Sequence, residues 1–177
     1  MTPLDPATVT VAQLRALLEV SRQFSIGILI PMVTTDGDVA HVAGRLRQLA
    51  AETTIGTLPR IGAMIETPAA ALSIGTLGQH VDFFSIGSND LTQYTMAAGR
   101  ENPMVAEYFA DDHPAVLRLI ELVVRESAGH SVSLCGELAG RTAVLPILLR
   151  TGIRSLSVPA ALVPDVKDAI RNCRIAP

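Results

Sequence analysis

The stretch Phe83–Asn102, FFSIGSNDLTQYTMAAGREN, begins as a buried strand and changes character within a few residues. Phe83, Phe84 and Ile86 form the apolar run that is typical of a strand covered on both faces. Gly, Ser, Asn and Asp follow at once, and a helical pattern leads from them to Arg100. An amide and a carboxylate at the end of an apolar strand indicate either a helix cap or a binding site.

The composition of the 177-residue chain predicts one α/β domain over residues 1–177. Hydrophobic residues make up 49% but aromatic residues only 3%, so aliphatic side chains must fill the core, as they do around parallel sheets. The net charge of −3, with no basic run, argues against nucleic-acid or membrane-surface binding. No apolar run approaches the roughly 18 residues that cross a bilayer. With neither a signal peptide nor a disulfide framework in the pattern, we expect a cytoplasmic protein.

Strand-like and helix-like segments alternate along the chain after a leading amphipathic helix, VAQLRALLEVSRQ. This alternation favours right-handed crossovers and a parallel sheet. Five short apolar runs are the predicted strands: IGILIPM (26–32), IGAMIE (61–66), VDFFSIG (81–87), SVSLCGE (131–137) and SLSVP (155–159).

Polar residues stand at the ends of three of these predicted strands. Glu66 ends the second, Asn89 and Asp90 follow the third, and Cys135 lies near the end of the fourth. Because the carboxyl ends of parallel strands meet at one edge, we expect these side chains to lie together.

Each of these residues has a structural and a chemical interpretation. Glu66 and Asp90 suit helix caps, but as a pair they also suit Mg²⁺, which binds one or two carboxylates together with phosphate and water. Arg100 is either a solvated surface residue or a phosphate-binding fork. Cys135 is either a small buried apolar residue or, since thiols are mostly protonated at neutral pH, an acid.

Four motifs together resemble the C-terminal phosphoenolpyruvate (PEP)-binding domain of enzyme I, the PEP–protein phosphotransferase of the bacterial sugar phosphotransferase system. They are IGAMIETPAAAL (61–72), DFFSIGSNDLTQYTMAAGREN (82–102), HPAVLRLI (113–120) and LCGELAG (134–140). Pyruvate phosphate dikinase and PEP synthase share parts of these motifs. They usually differ where this chain reads YTMAA (94–98), so the resemblance favours enzyme I.

The resemblance implies a (β/α)8 barrel, of which the five predicted strands would be the last five. It also implies Mg²⁺ ligands at Glu66 and Asp90, PEP contacts at Asn89, Asp90 and Arg100, and an acid at Cys135 that protonates the enolate carbon. The implied reaction is phosphoryl transfer from PEP to a histidine, which leaves pyruvate. The implied partners are a phosphohistidine domain and a phosphocarrier protein used in sugar uptake.

Several features depart from this pattern. Gly99 and Arg141 stand where family members often have acidic residues, so we expect a more positive rim. The sequence shows neither the phosphorylatable-histidine motif nor the early barrel segment with two further phosphate-binding arginines. We therefore expect a partial barrel that binds PEP weakly or not at all alone and forms a homodimer through its edges or an apolar inner face. The alternatives are a dikinase or synthase fragment, and a non-catalytic regulatory or assembly module.

Overall fold

The computed structural model describes residues 6–53 and 58–174. Helices and short strands alternate through this part of the chain, as the sequence predicts. The helices are α1 (Pro6–Ser21), α2 (Asp36–Glu52), α3 (Pro68–Leu72), α4 (Ile74–Leu77), α5 (Ser88–Met96), α6 (Pro114–Glu126), α7 (Glu137–Gly140), α8 (Leu145–Arg150) and α9 (Val163–Asn172). The strands are β1 (Gly27–Ile30), β2 (Arg60–Ile65), β3 (Phe83–Gly87) and β4 (Ser131–Cys135).

The four strands form one parallel sheet in the order β1-β2-β3-β4. Each strand lies beside the strand before it in the chain, and helices connect them. The α/β class and the parallel arrangement predicted from the sequence are therefore confirmed. None of the helices in the described ranges is both long and apolar enough to cross a membrane.

The fifth predicted strand, residues 155–159, is wrong as a strand. Leu156 forms a single parallel bridge with Leu134, supported by hydrogen bonds from Leu134 N to Ser155 O (2.9 Å) and from Ser157 N to Leu134 O (2.8 Å). Pro159 has no N–H to continue the ladder, so the pairing ends after this one contact. The segment nevertheless lies against the edge of β4.

One face of the sheet forms the hydrophobic core with the helices. Ile61, Ala63, Phe84, Ile86 and Leu134 alternate along the strands and are all buried on this face. The aliphatic core that the composition predicts is confirmed. The helices contribute Leu14, Leu18, Val39, Leu46, Ala70, Ile74, Val116, Ile120, Leu145 and Leu148.

The opposite face, here called the inner face, carries Gly27, Gly62, Phe83, Ser85 and Ser133. The Phe83 ring lies so close to the two glycines that a Cβ atom built on Gly62 would stand 2.3 Å from Phe83 Cε2, and one on Gly27 would stand 3.0 Å from Cε1. Phe83 therefore fills the amino-terminal end of this face. Leu29 and Met64 lie on the same face, beside Gly62 and Ser85, so the inner face mixes apolar side chains with serines and glycines.

We expect Gly62→Ala to lower the free energy of unfolding by about 2 kcal/mol, because its methyl group overlaps the Phe83 ring. In a Phe83→Leu background the same change should lower the free energy of unfolding by less. Urea unfolding of the parent, the two single variants and the double variant would give this difference as a coupling energy. Gly44→Ala is the matched control, since a Cβ atom on Gly44 meets nothing within 4 Å. Strictly additive effects at Gly62 and Phe83 would contradict this description.

Candidate functional site

The carboxyl ends of β2, β3 and β4 place the predicted polar residues along one edge of the sheet. Ile65 lies beside Ile86, and Gly87 lies beside Cys135. The residues that follow β2, β3 and β4 therefore leave the sheet at the same edge. Glu66 follows β2 directly, and Asp90 lies in the first turn of α5. The structure thus brings together residues that are far apart in sequence.

Glu66 is nearly enclosed, with 4% of its surface exposed. Its Oε1 atom accepts a 2.6 Å hydrogen bond from Met32 N, which ties it to the segment after β1. Its Oε2 atom lies against Gly87, where a Cβ atom would approach it to 2.8 Å. Thr67 caps α3 through its hydroxyl, which accepts from Ala70 N at 3.1 Å. The cap interpretation of Glu66 is therefore wrong.

Asp90 is a neighbour of Glu66 rather than the cap of α5, whose N-cap residue is Gly87. Burial is the main cause that raises the pKa of Glu66. The Met32 N–H acts against it, and the negative charge of Asp90 and a hydrogen bond with its side chain add to it. A bound cation would relieve the repulsion between the two carboxylates. The described residues contain no cluster of three or more His, Cys, Asp or Glu that could hold a metal. Two carboxylates suit an ion such as Mg²⁺, which takes its other ligands from substrate and water.

Asn89 is held in place by the segment after β4. Its Oδ1 atom accepts a 3.0 Å hydrogen bond from Glu137 N, which leaves the Nδ2 group as the donor end of the side chain. Gly136 makes this contact possible. Its φ of 92° is left-handed, and a Cβ atom there would stand 2.3 Å from Ser88 Oγ and 2.9 Å from Asn89 Oδ1. Ser88 Oγ donates to Cys135 O at 2.8 Å and fastens the same two segments together.

Arg100 is an exposed residue that lines a cavity of about 440 Å³ together with Asp90. Its Nη1 atom lies 3.2 Å from Glu137 Oε1, and both side chains of this ion pair are largely exposed. The guanidinium therefore shares a cavity with Asp90 and is itself paired with the Glu137 carboxylate. The other residues that line this cavity are Gln93, Gly99, Glu101 and Asn102.

Cys135 is a partly exposed free thiol that opens onto a second and larger cavity, of about 630 Å³. Asn89 and Glu137 line this cavity as well, and the ion pair of Glu137 with Arg100 links it to the smaller cavity. The wall opposite Cys135 comes from residues 157–159, next to the Leu156 bridge. A ligand that spans both cavities would meet carboxylates, an amide, a guanidinium and a thiol.

Sequence reasoning did not assign a role to Glu137 or Ser88, although LCGE places Glu137 next to Cys135. It also expected Arg141 to make the rim more positive. In the structure Arg141 lines the same cavity as Cys135 and pairs with Asp111 and with Asp112, the latter at 3.0 Å, so its charge is balanced by two acids. These acids lie about 30 residues earlier in the chain, a separation that local patterns do not reveal. His113 caps α6, and its Nδ1 atom accepts a hydrogen bond from Ala115 N at 3.2 Å.

Comparison with known sequences gives a consistent picture. The family described as "PEP-utilising enzyme, PEP-binding domain" matches residues 2–175. Over 97% of this chain, a phosphoenolpyruvate-protein phosphotransferase from Mycoplasma genitalium is 43% identical, and a protein of the same name from Haemophilus influenzae is 37% identical over 96%. The chain spans about 30% of the length of these relatives.

Comparison with solved structures supports the fold. A citrate lyase from Burkholderia xenovorans matches 90% of this chain and 53% of its own, with a TM-score of 0.68 and 18% identity. A HpcH/HpaI aldolase/citrate lyase family protein from Burkholderia cenocepacia matches 88% of this chain and 67% of its own, with a TM-score of 0.58 and 16% identity. Both have TIM-barrel-like folds, which confirms the expected fold class. At these identities the likeness shows the fold alone.

We expect Glu66→Gln and Asp90→Asn each to weaken Mn²⁺ binding by about tenfold or more, because each removes one of two charged ligands. Electron paramagnetic resonance of free Mn²⁺, used as a substitute for Mg²⁺, measures the affinity. Glu137→Gln is the matched control, since it removes a carboxylate from the same edge that pairs with Arg100. Equal affinities in all four proteins would place the cation elsewhere.

Proposed function

Because the chain belongs to the PEP-binding domain family of the PEP-utilising enzymes, we propose that it is the PEP-binding part of a PEP–protein phosphotransferase. The observation that carries the proposal is the shared edge of Glu66, Asp90, Asn89, Arg100 and Cys135, with cavities on both sides of it. The relatives reported above are named as phosphotransferases, which supports this proposal over a dikinase or synthase fragment.

In the proposed site, Glu66 and Asp90 hold Mg²⁺, which when bound supplies positive charge to the phosphate and to the developing enolate. Arg100 and the Asn89 amide bind and orient the anionic substrate. Glu137 keeps Arg100 directed at the site and fixes the Asn89 amide through its backbone N–H. Cys135 donates its proton to the enolate carbon, which completes pyruvate.

The rest of the reaction belongs to the longer protein that the relatives represent. A phosphohistidine domain would accept the phosphoryl group and pass it to a phosphocarrier protein in sugar uptake. We also propose a cytoplasmic location, which the two free thiols, Cys135 and Cys173, support. A homodimer is the proposed assembly.

A PEP titration with Mg²⁺, followed by NMR, tests the proposed function in this chain. We expect weak binding that shifts the backbone amides of Asn89, Asp90 and Gly136, because each of these residues lines one of the two cavities. Arg100→Gln should abolish the shifts by removing the cation that binds the phosphate. Cys135→Ala should keep the shifts.

A second assay uses a phosphotransferase that carries the complete barrel. There, Cys135→Ala should abolish the Mg²⁺-dependent exchange of pyruvate methyl protons with deuterium. Shifts confined to other regions, or exchange that persists in the Cys135→Ala variant of the complete barrel, would contradict the proposal.

Sedimentation equilibrium tests the proposed dimer. Within the described part of the chain β1 pairs with β2 alone, so its outer edge presents unpaired backbone groups. Such edges associate readily, and we expect this chain to form dimers through β1. Ile28→Pro removes an N–H and disfavours edge pairing, and it should shift the chain toward monomer. Leu72→Asp, a change at an exposed residue of α3, is the control and should leave the mass unchanged. A strict monomer at all concentrations would contradict this assembly.

A further inference from the structure

Three side chains on the inner face are joined by hydrogen bonds that lead to the thiol of Cys135. Ser133 Oγ donates to Ser85 Oγ at 3.1 Å, and Ser85 Oγ donates to Cys135 Sγ at 3.8 Å. The thiol itself donates to Ile86 O at 3.3 Å. Ser85 lies directly beside Ser133 in the sheet, and Cys135 comes two residues after Ser133 on the same face.

Ser85 is a polar residue in a buried position. It is 6% exposed, yet a hydroxyl placed there must find hydrogen-bond partners or destabilise the sheet. Its partners are Ser133, which donates a hydrogen bond to it, and Cys135, whose sulfur accepts a hydrogen bond from it. Ser133 is also 3.5 Å from Phe84 O, a longer contact, so its proton is assigned to Ser85. The bond from Ser133 thereby turns the proton of Ser85 toward the sulfur.

The positively charged side chains near Cys135 are already paired with acids. Arg100 is paired with Glu137, and Arg141 is paired with Asp111 and Asp112. The remaining charged residues at this edge, Glu66 and Asp90, are acids, which disfavour a negative sulfur. Among the described residues, the Ser85 hydroxyl is a neutral donor directed at the sulfur that can stabilise a thiolate.

We propose that Ser85 is a positioning residue for Cys135 and that its hydroxyl stabilises the thiolate left after proton donation. This inference rests on the proposed function. In that step the S–H bond breaks, and its proton forms the new C–H bond with the electron pair of the enolate. Sulfur keeps the S–H electron pair as a thiolate, which Ser85 holds by its O–H until a solvent proton restores the thiol. Ser85 loses no proton in the cycle.

Thiol alkylation tests the proposal without substrate or metal. A Cys173→Ser background leaves Cys135 as the single thiol, and iodoacetamide reacts with its thiolate form at neutral pH. Ser85→Ala should slow alkylation about fivefold, because it removes one hydrogen-bond donor from the reactive form. Ser85→Thr keeps the hydroxyl and should restore most of the rate. Ser133→Ala should slow the reaction about twofold, since the Ser85 proton is no longer held toward the sulfur.

Ser131→Ala is the matched control, because Ser131 lies on the same strand and face but two positions before Ser133. The infrared S–H stretching band should shift in Ser85→Ala and stay unchanged in Ser131→Ala, which separates lost hydrogen bonding from altered access. A folded Ser85→Ala variant that reacts at the parent rate overturns the proposal. If Ser85→Ala does not fold, an unchanged rate in Ser133→Ala overturns it instead. PEP binding does not enter this assay, so failure of the proposed function leaves its result intact.

Discussion

The parallel register of β3 and β4, which sets Gly87 beside Cys135, is the constraint on which the whole site depends. A shift by one residue would move Cys135 and Ser133 to the helix-covered face and bring Leu134 to the inner face. The register is fixed by the buried face, where Phe84, Ile86 and Leu134 pack against the helices. The chemistry of the inner face is therefore specified by hydrophobic contacts on the other side of the same strands.

Glycine has a direct role in assembling the site from this register. Gly87 leaves space for the Glu66 carboxylate, and Gly136 allows the chain after β4 to approach Ser88 and Asn89. Both glycines lie where backbone and side chain meet too closely for a Cβ atom. As a result, the first turn of α5 and the segment after β4 behave as one unit, joined by the bonds of Ser88 Oγ and Asn89 Oδ1.

The sequence was sufficient to predict the parallel α/β fold and the edge at which Glu66, Asp90 and Cys135 would meet, because both follow from apolar periodicity and from the direction of the strands. It was not sufficient for residues 155–159, where a short apolar run makes one bridge rather than a strand. The ion pairs of Arg100 and Arg141 were also missed. Their partners lie 37 and about 30 residues away, and such pairings depend on where the helices come to lie in space.

The pairing of Arg100 with Glu137 has a consequence for the response of the site to ionic strength. An anion that binds Arg100 takes the place of the Glu137 carboxylate. Arg100 is thus paired with a negative group both before and after binding, and the net number of ion pairs changes little. Added salt weakens the internal pair and the external one alike, since both are exposed to solvent. The affinity of this edge for an anion should therefore depend on salt less steeply than a count of its positive charges would suggest.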